Sequence, residues 1–273
     1  MHNKLIILAA GASSRMKESM TLDKSSIEIE QLSKALIGLG KKDRPLLFYL
    51  LDHAKKAGYN EIFLVVGERY DAFKSIFGDK ISNNEYHGMK IHYAIQTIPK
   101  ERTKPLGTAD AVLQALEQYP QLRESTFSIC NSDNLYSIEA YKALQDDQHK
   151  NAMISYDRNG LLFDQEKISK FALLEINNEG FLIDISEKPT SLEAVNSNWV
   201  SMNLFKLYGP MVYPFLKDCP LDPVRNEKEL PTALLNMCRE NSQAMFTLPR
   251  SEHVPDLTRK EDIESFNDFL NDL

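Results

Sequence analysis

Leu8-Ala9-Ala10-Gly11-Ala12-Ser13-Ser14-Arg15-Met16-Lys17 joins an apolar run to a loop of small residues and two cations. Small side chains let backbone N–H groups approach phosphate oxygens, and an arginine offers a rigid fork of donors to the same charge. The same residues also suit a tight βα turn with an exposed Arg15 beyond it, so residue type alone leaves both readings open. The dinucleotide fingerprint needs G-x-G-x-x-G and the Walker loop needs G-K-[ST]; neither spacing occurs here. A second group is Gln96 with Pro105-Leu106-Gly107-Thr108-Ala109-Asp110-Ala111-Val112. A glutamine amide can donate and accept at the edge of a base, and a glycine lets a base lie against backbone. The plainer reading is a helix capped by Thr108 after a glycine turn, with Asp110 a first-turn acid and Gln96 exposed at a strand end. A third group, Asn131-Ser132-Asp133-Asn134, offers hard oxygen donors of the kind magnesium takes, or else an Asx turn closing a strand.

These groups need a frame, and the hydrophobic pattern supplies one. Lys4 to Ala10 reads as a strand covered on both faces. Residues 17–33 read as a flexible excursion before Lys34-Ala35-Leu36-Ile37. A helix from Pro45 to about Ala57 carries Leu46, Leu47, Leu50, Leu51 and Ala54 on one face and stops at Gly58. Glu61 to Val66 is the next strand, Asp71 to Phe77 a short helix, Met89 to Gln96 a strand, Thr108 to Leu116 a helix and Thr126 to Cys130 a central strand. Alternation of this kind implies parallel pairing with helices on both faces, and ligands then bind beyond the strand ends, where Asn131 to Asn134 fall. From Ala152 the pattern turns to strands and a hairpin: Ala152 to Tyr156, Phe171 to Ile176, a turn over Asn177 to Gly180, then Phe181 to Ile185. Trp199 to Leu207 is a strand, Tyr213 to Leu216 a helix fragment, Leu230 to Glu240 and Ile263 to Leu273 helices, and Asp218 to Glu229 a surface loop.

The 273 residues suit one α/β domain. A net charge of −7 disfavours a large nucleic-acid or anionic-lipid footprint. Cys130, Cys219 and Cys238 match neither a zinc site nor a disulfide framework, which fits a reducing cytoplasm. The run Leu5 to Ala10 is too short for a signal-peptide core or a membrane span, and no later run approaches the length of a spanning helix. The histidines, His53 and His253 among them, form no spaced ligand pair and read as structural or surface residues.

Leu8-Ala9-Ala10-Gly11-Ala12-Ser13-Ser14-Arg15-Met16 resembles the L-A-A-G-x-S-S-R-M opening of the nucleotidyltransferase superfamily, and further elements recur in that family's order. Lys34-Ala35-Leu36 resembles its K-[PA]-L element, Gln96 with Pro105 to Val112 its base pocket, and Asn131-Ser132-Asp133-Asn134 its G-D-N or A-D-D signature. Ser186-Glu187-Lys188-Pro189 resembles its E-K-P element. Val254-Pro255-Asp256-Leu257-Thr258-Arg259-Lys260-Glu261-Asp262 is similar to its W-x-D-[IV]-x-T-P-E-D-[IL] close, though the aromatic is absent and Lys260 replaces the proline. That last stretch also reads as a helix N-cap region, with Thr258 capping and Glu261 as its partner.

The resemblance implies a Rossmann-like, three-layer α/β/α fold of the glycosyltransferase-A kind, with a mixed, mainly parallel sheet. It implies one domain over 1–273, with a nucleotide half at about 1–135 and a sugar-phosphate half at about 136–273. It places Ala9, Ala10, Gly11, Ala12, Ser13 and Arg15 on the triphosphate, Lys34 on phosphate, and Gln96, Gly107 and Thr108 on the base. Asp133 and Asp256 would hold Mg2+, while Glu187, Lys188 and Asn203 would hold the sugar phosphate. The activity implied is transfer of a nucleoside monophosphate from an NTP to a sugar 1-phosphate. The alternatives are a cytidylyltransferase for an amino-alcohol phosphate such as phosphocholine, and a nucleotide-sugar sensor that does not turn over. Family members commonly form homo-oligomers, although no segment here announces an interface. The glycine-bearing sugar contact expected in 157–170 has only Gly160 as a candidate.

Overall fold

Leu5, Ile6 and Ile7 have no exposed surface, because the strand that carries them lies mid-sheet with side chains covered above and below. That strand is β1 (Lys4–Leu8) in the computed structural model of the protein, which describes residues 2–11, 33–186 and 197–271. A 3-10 turn at Lys34–Leu36 leads into a short ribbon, β2 (Gly38–Leu39) and β3 (Arg44–Pro45), and then helix α1 (Leu46–Ala57). Gly58 ends α1 at φ 108, a left-handed conformation that favours glycine. There follow β4 (Glu61–Gly67), α2 (Asp71–Phe77), β5 (Asn84–Tyr86), β6 (Met89–Gln96), α3 (Thr108–Gln118), α4 (Pro120–Arg123), β7 (Thr126–Asn131) and α5 (Ile138–Asp146). The second half contains β8 (Ala152–Asp157), α6 (Gln165–Ile168), β9 (Ala172–Ile176), β10 (Leu182–Ser186) and β11 (Trp199–Tyr208). It continues with α7 (Gly209–Lys217), α8 (Leu230–Glu240), β12 (Phe246–Arg250) and α9 (Asp262–Asn271).

The main sheet runs β10-β9-β11-β7-β1-β4-β6-β5, with β8 against β11 and β12 against β8. β7, β1, β4 and β6 are parallel, so their carboxyl ends share one edge. β11 is antiparallel to β7, and the β9–β10 hairpin and β5 are also antiparallel to their neighbours. The expected mixed sheet with a parallel centre is therefore present, the antiparallel pairing lying outside that centre. β1 leads rightward to β4 and β6, and the chain then returns to lay β7 on the other side of β1. This reversal creates a crevice beyond the ends of β1 and β7.

Alternation along the central strands divides the core. Leu5 and Ile7 of β1, with Ile62, Leu64 and Val66 of β4, face α1, α2 and α5, while Ile6, Phe63 and Val65 face α3, α7 and α8. Each fully buried aliphatic or aromatic side chain contributes about 1.5–3 kcal/mol, so three layers follow from the period-2 pattern. A third, smaller cluster joins Ile37, Leu39, Leu46, Leu135 and Leu257 to Phe266 of α9. It pins the turn that bears Lys34 and the loop that bears Asp256 to the same terminal helix.

Several expectations need correction. α5 and β12 have no counterpart among the elements expected from the hydrophobic pattern, and α1 begins one residue after Pro45. Thr108 does not cap α3; its Oγ1 accepts from the Leu230 N–H at 2.9 Å and so serves the start of α8. The stretch from Asp218 to Glu229 is no simple surface loop. Lys228 N donates to the Leu106 carbonyl at 2.6 Å, and Ala109 N donates to the Lys228 carbonyl at 2.9 Å, so its end lies across the start of α3. A Cβ on Gly107 would sit 2.4 Å from the Lys228 carbonyl oxygen, and Gly107 has φ +111, so close approach and conformation both require glycine there.

Candidate active site

The carboxyl end of β1 delivers Leu8, Ala9, Ala10 and Gly11 beside the end of β7, where Ser132 N donates to the Leu8 carbonyl at 3.2 Å. Across from them stand Gln96 at the end of β6 and Gly107 and Thr108 at the start of α3. Together with Lys34 and Asp133 these residues line a cleft of about 370 Å3. A second cleft of about 730 Å3 opens on the other side of Asp133, lined by Asn203, Asp256, Lys167 and Lys170 among others. Lys34, Asn131 and Asp133 line both. Ala12, Ser13, Arg15, Glu187 and Lys188 lie outside the described residues.

The segments that bear Asp133 and Asp256 are joined by backbone bonds and by one side-chain bond from Asn134. Leu257 N donates to the Asp133 carbonyl at 2.8 Å, and Leu135 N donates to the Pro255 carbonyl at 3.1 Å. Between these bonds Asn134 and Asp256 face each other as an antiparallel bridge, and Asn134 Nδ2 donates to Asp256 Oδ1 at 3.2 Å. The fold brings in the second aspartate by laying β12 parallel to β8, so that the chain leaves β12 toward the crevice. Burial, then the neighbouring Asp133 charge, push the Asp256 carboxyl above the ordinary carboxylate range, while Lys167 and Thr258 oppose the shift.

Each aspartate carries an ammonium group. Lys34 Nζ is 3.0 Å from Asp133 Oδ2, and Lys167 Nζ is 3.1 Å from Asp256 Oδ2 and 2.8 Å from Asp262 Oδ1. Two carboxylates converging where positive charge is already drawn in fit the donor set of magnesium, which takes one or two carboxylates and completes its shell with substrate phosphates and water. The N-cap reading of this stretch is not what the structure has. Thr258 Oγ1 donates to Asp256 Oδ2 at 2.7 Å, and Asp262 Oδ2 accepts from Thr258 N and Arg259 N at the entry to α9.

Lys167 has no counterpart among the site residues expected from sequence, because a lysine on a four-residue helix has no local signature. Asp164 Oδ1 accepts from Lys167 N at 2.6 Å and starts the turn, Phe163 lies under the ammonium at 4.4 Å, and the amine also donates to the Asp256 carbonyl at 3.1 Å. Lys167→Met leaves two carboxylates without their counter-charge. The expected cost is about 2–3 kcal/mol, below the 3–5 kcal/mol of a fully buried broken pair because the site is partly solvated. Urea unfolding of the two proteins measures it, and an unchanged midpoint contradicts the assignment. Gly160, in contrast, packs against Ser251 and the Glu252 backbone, with no room for a Cβ, and does not line the clefts. The segment's cleft residues are Asp164, Glu166, Lys167 and Lys170.

Asn203 occupies a bulge. β11 pairs Ser201 with Ser155 and next Phe205 with Met153 of β8, so Met202, Asn203 and Leu204 leave the ladder. Asn203 takes φ 58, which asparagine tolerates better than most residues, and the bulge turns it into the second cleft. His253 is a packing residue: it accepts from Leu162 N at 3.0 Å and lies edge-on to Phe163 and Phe269, and burial lowers its pKa to about 4.

The sequence model of the nucleotidyl transferase family matches residues 4–252. Over 140 residues the chain is 26% identical to a D-glycero-alpha-D-manno-heptose 1-phosphate guanylyltransferase of Aneurinibacillus thermoaerophilus, covering 51% of this chain and 50% of that protein. Over 192 residues it is 26% identical to a glucose-1-phosphate thymidylyltransferase of Streptomyces griseus, covering 68% of this chain and 44% of the relative. The matched part of the chain spans about half the length of such relatives. Its fold is similar to that of a UDP-glucose pyrophosphorylase solved with UDP-glucose, with a TM-score of 0.72 at 18% identity over 100% of both chains. No helix among the described residues is long and apolar enough to cross a membrane. With that match running across nearly the whole of the central sheet and the clefts at its edge, the chain belongs to the nucleotidyl transferase family.

Proposed function

We propose that the protein transfers a nucleoside monophosphate from an NTP to a sugar 1-phosphate, forming an NDP-sugar and pyrophosphate. The observation that carries this reading is the pair of clefts meeting at Lys34, Asn131 and Asp133. A donor nucleotide in one and an acceptor in the other would meet at that boundary. Sugar 1-phosphates figure in the names of the heptose and glucose relatives, which favours such an acceptor over an amino-alcohol phosphate. Retention of both aspartates argues against a sensor without turnover.

A phosphate oxygen of the acceptor attacks the α-phosphorus in line, the bond from that phosphorus to the bridging oxygen breaks, and pyrophosphate departs. The nucleophile is already ionised at neutral pH, so no general base is needed, and catalysis rests on alignment and charge neutralisation. Asp133 and Asp256 would hold magnesium, which supplies positive charge to the phosphate oxygens when bound. Lys34 is released from Asp133 to contact phosphate. Gly11, with Ala12, Ser13 and Arg15, receives the triphosphate through N–H and guanidinium donors. Asn203, with Glu187 and Lys188, holds the sugar phosphate.

Pyrophosphate release measured over a panel of NTPs and phosphorylated sugars tests the proposal. Release that requires both an NTP and a sugar 1-phosphate is the expected result. Release with phosphocholine alone as acceptor, or with no acceptor in the panel, overturns it.

A further inference from the structure

Gln96 presents one kind of polar atom to the nucleotide cleft, and its neighbours decide which. Its Nε2 lies 3.0 Å from the Gly107 carbonyl oxygen and 3.0 Å from Asp110 Oδ2. A backbone carbonyl can only accept, so the group facing it is the NH2. The acceptor role of Asp110 is established from its other side. Gln114 Oε1 accepts from the Thr97 backbone N–H at 2.9 Å and the Thr97 hydroxyl at 3.1 Å, which leaves Gln114 Nε2 to donate to Asp110 Oδ2 at 2.8 Å. Gln96 is 3% exposed and Asp110 7%, so water does not compete for these bonds. Both amide hydrogens of Gln96 are thus committed to the protein. Its Oε1, with no partner among the described residues, is the polar atom left for a base in the cleft that Gln96 lines.

An acceptor at this place sorts bases by ring chemistry. Guanine at N1, and uracil or thymine at N3, carry a ring N–H. Adenine at N1 and cytosine at N3 carry lone pairs, and each would have to swing its exocyclic amino group toward Oε1 and shift within the cleft. We propose that Asp110 is a positioning residue that sets Gln96 as an acceptor, and that the protein thereby selects NTPs with a ring N–H base, guanine, uracil or thymine, over ATP and CTP. This rests on the first cleft being the nucleotide site. Asp110 does not touch the base; it acts through Gln96, and Gln114 holds it from the outer side.

The test is calorimetric binding of GTP, UTP, dTTP, ATP and CTP, each with magnesium, to the full chain. At least one ring N–H nucleotide should bind about 10- to 100-fold more tightly than ATP and CTP, the factor that one buried unpaired acceptor corresponds to. Asp110→Leu, which removes one of the two anchors of the Gln96 amide, should reduce that ratio about tenfold, and Asp110→Asn, which keeps an acceptor oxygen, should retain it. A purely structural Asp110 would lower thermal stability in the leucine variant and leave the ratio unchanged. If that variant does not fold, Gln114→Ala loosens the same clamp from its half-exposed side with the same expected direction. ATP or CTP binding as tightly as the others, or a ratio indifferent to these substitutions, overturns the inference while the nucleotide site stands. Absence of binding by all five removes the nucleotide site itself.

Discussion

Asparagine in place of Asp133 should lower turnover about 1000-fold and move the unfolding free energy by only about 1 kcal/mol. The first figure follows from deleting a charged group placed, on the proposed function, where negative charge is redistributed during phosphoryl transfer, worth about 4 kcal/mol of barrier. The second follows from its surroundings. Its side chain is 25% exposed and its ion-pair partner is Lys34 at 3.0 Å, itself 16% exposed, so loss of the pair is tempered by solvent. Asparagine also keeps the side-chain volume, and the backbone bond from Leu257 N to the residue 133 carbonyl does not depend on the side chain. Steady-state pyrophosphate release and chemical unfolding of the same preparation read the two quantities separately. Full turnover with magnesium present would contradict the role given to Asp133, and a collapse of stability would recast it as a structural residue.

Lys206→Met is expected to have the largest effect on stability. Lys206 lies on β11 with 2% of its surface exposed, and its ammonium donates to Asp147 Oδ1 at 2.7 Å and to the Asp147 carbonyl at 2.8 Å. Methionine fills much of the volume but abandons a carboxylate that is 7% exposed, a loss of about 3–5 kcal/mol. The pH dependence distinguishes this cause from poor packing. Burial acts to raise the Asp147 carboxyl, but hydrogen bonds from Lys206 and His149 outweigh it and hold the folded-state value below the ordinary 3.8. In the natural protein this group therefore contributes stability that is present above the unfolded value and is lost as pH falls through the depressed folded value. Loss of Lys206 removes the first of the interactions that oppose burial, so the folded value of the variant moves up from its depressed position and less stability is lost on acidification. The stability gap between the two proteins should narrow as the solution is acidified below about pH 5. Urea titrations at pH 7 and pH 4 measure it, and a gap that stays constant points to packing alone.

Elements with a strong internal pattern are legible in the amino-acid sequence itself. Leu230–Glu240, Asp71–Phe77 and Met89–Gln96 have the bounds expected of them, because apolar spacing and end residues are local properties. α5 carries comparable signals, with Ser137 Oγ accepting from Ala140 N at 3.0 Å as its cap, and was open to the same reasoning. β12 was not, since Pro249 argues against an inner strand; it is tolerated because β8 is the strand partner at Pro249, while the bridge from β12 to Phe181 is made at Phe246. The site divides in the same way. Asp133 and Gln96 sit at strand ends, where pattern and chemistry coincide. The clamp of Asp110 on Gln96, the reach of Lys167 to Asp256, and the placement of Glu227 along the first cleft are contacts between distant segments. No spacing rule encodes them.

Asn134 and Asp256 are 122 residues apart in the chain, and the smaller apolar cluster holding Leu257 against Leu135 draws on Phe266 of α9. A polypeptide emerging from the ribosome therefore acquires its small-residue turn, its glutamine and its first carboxylate long before its second. Throughout that interval the first cleft can take shape while the carboxylate pair stays incomplete, and on the proposed function the nascent chain gains competence only when the last helix docks.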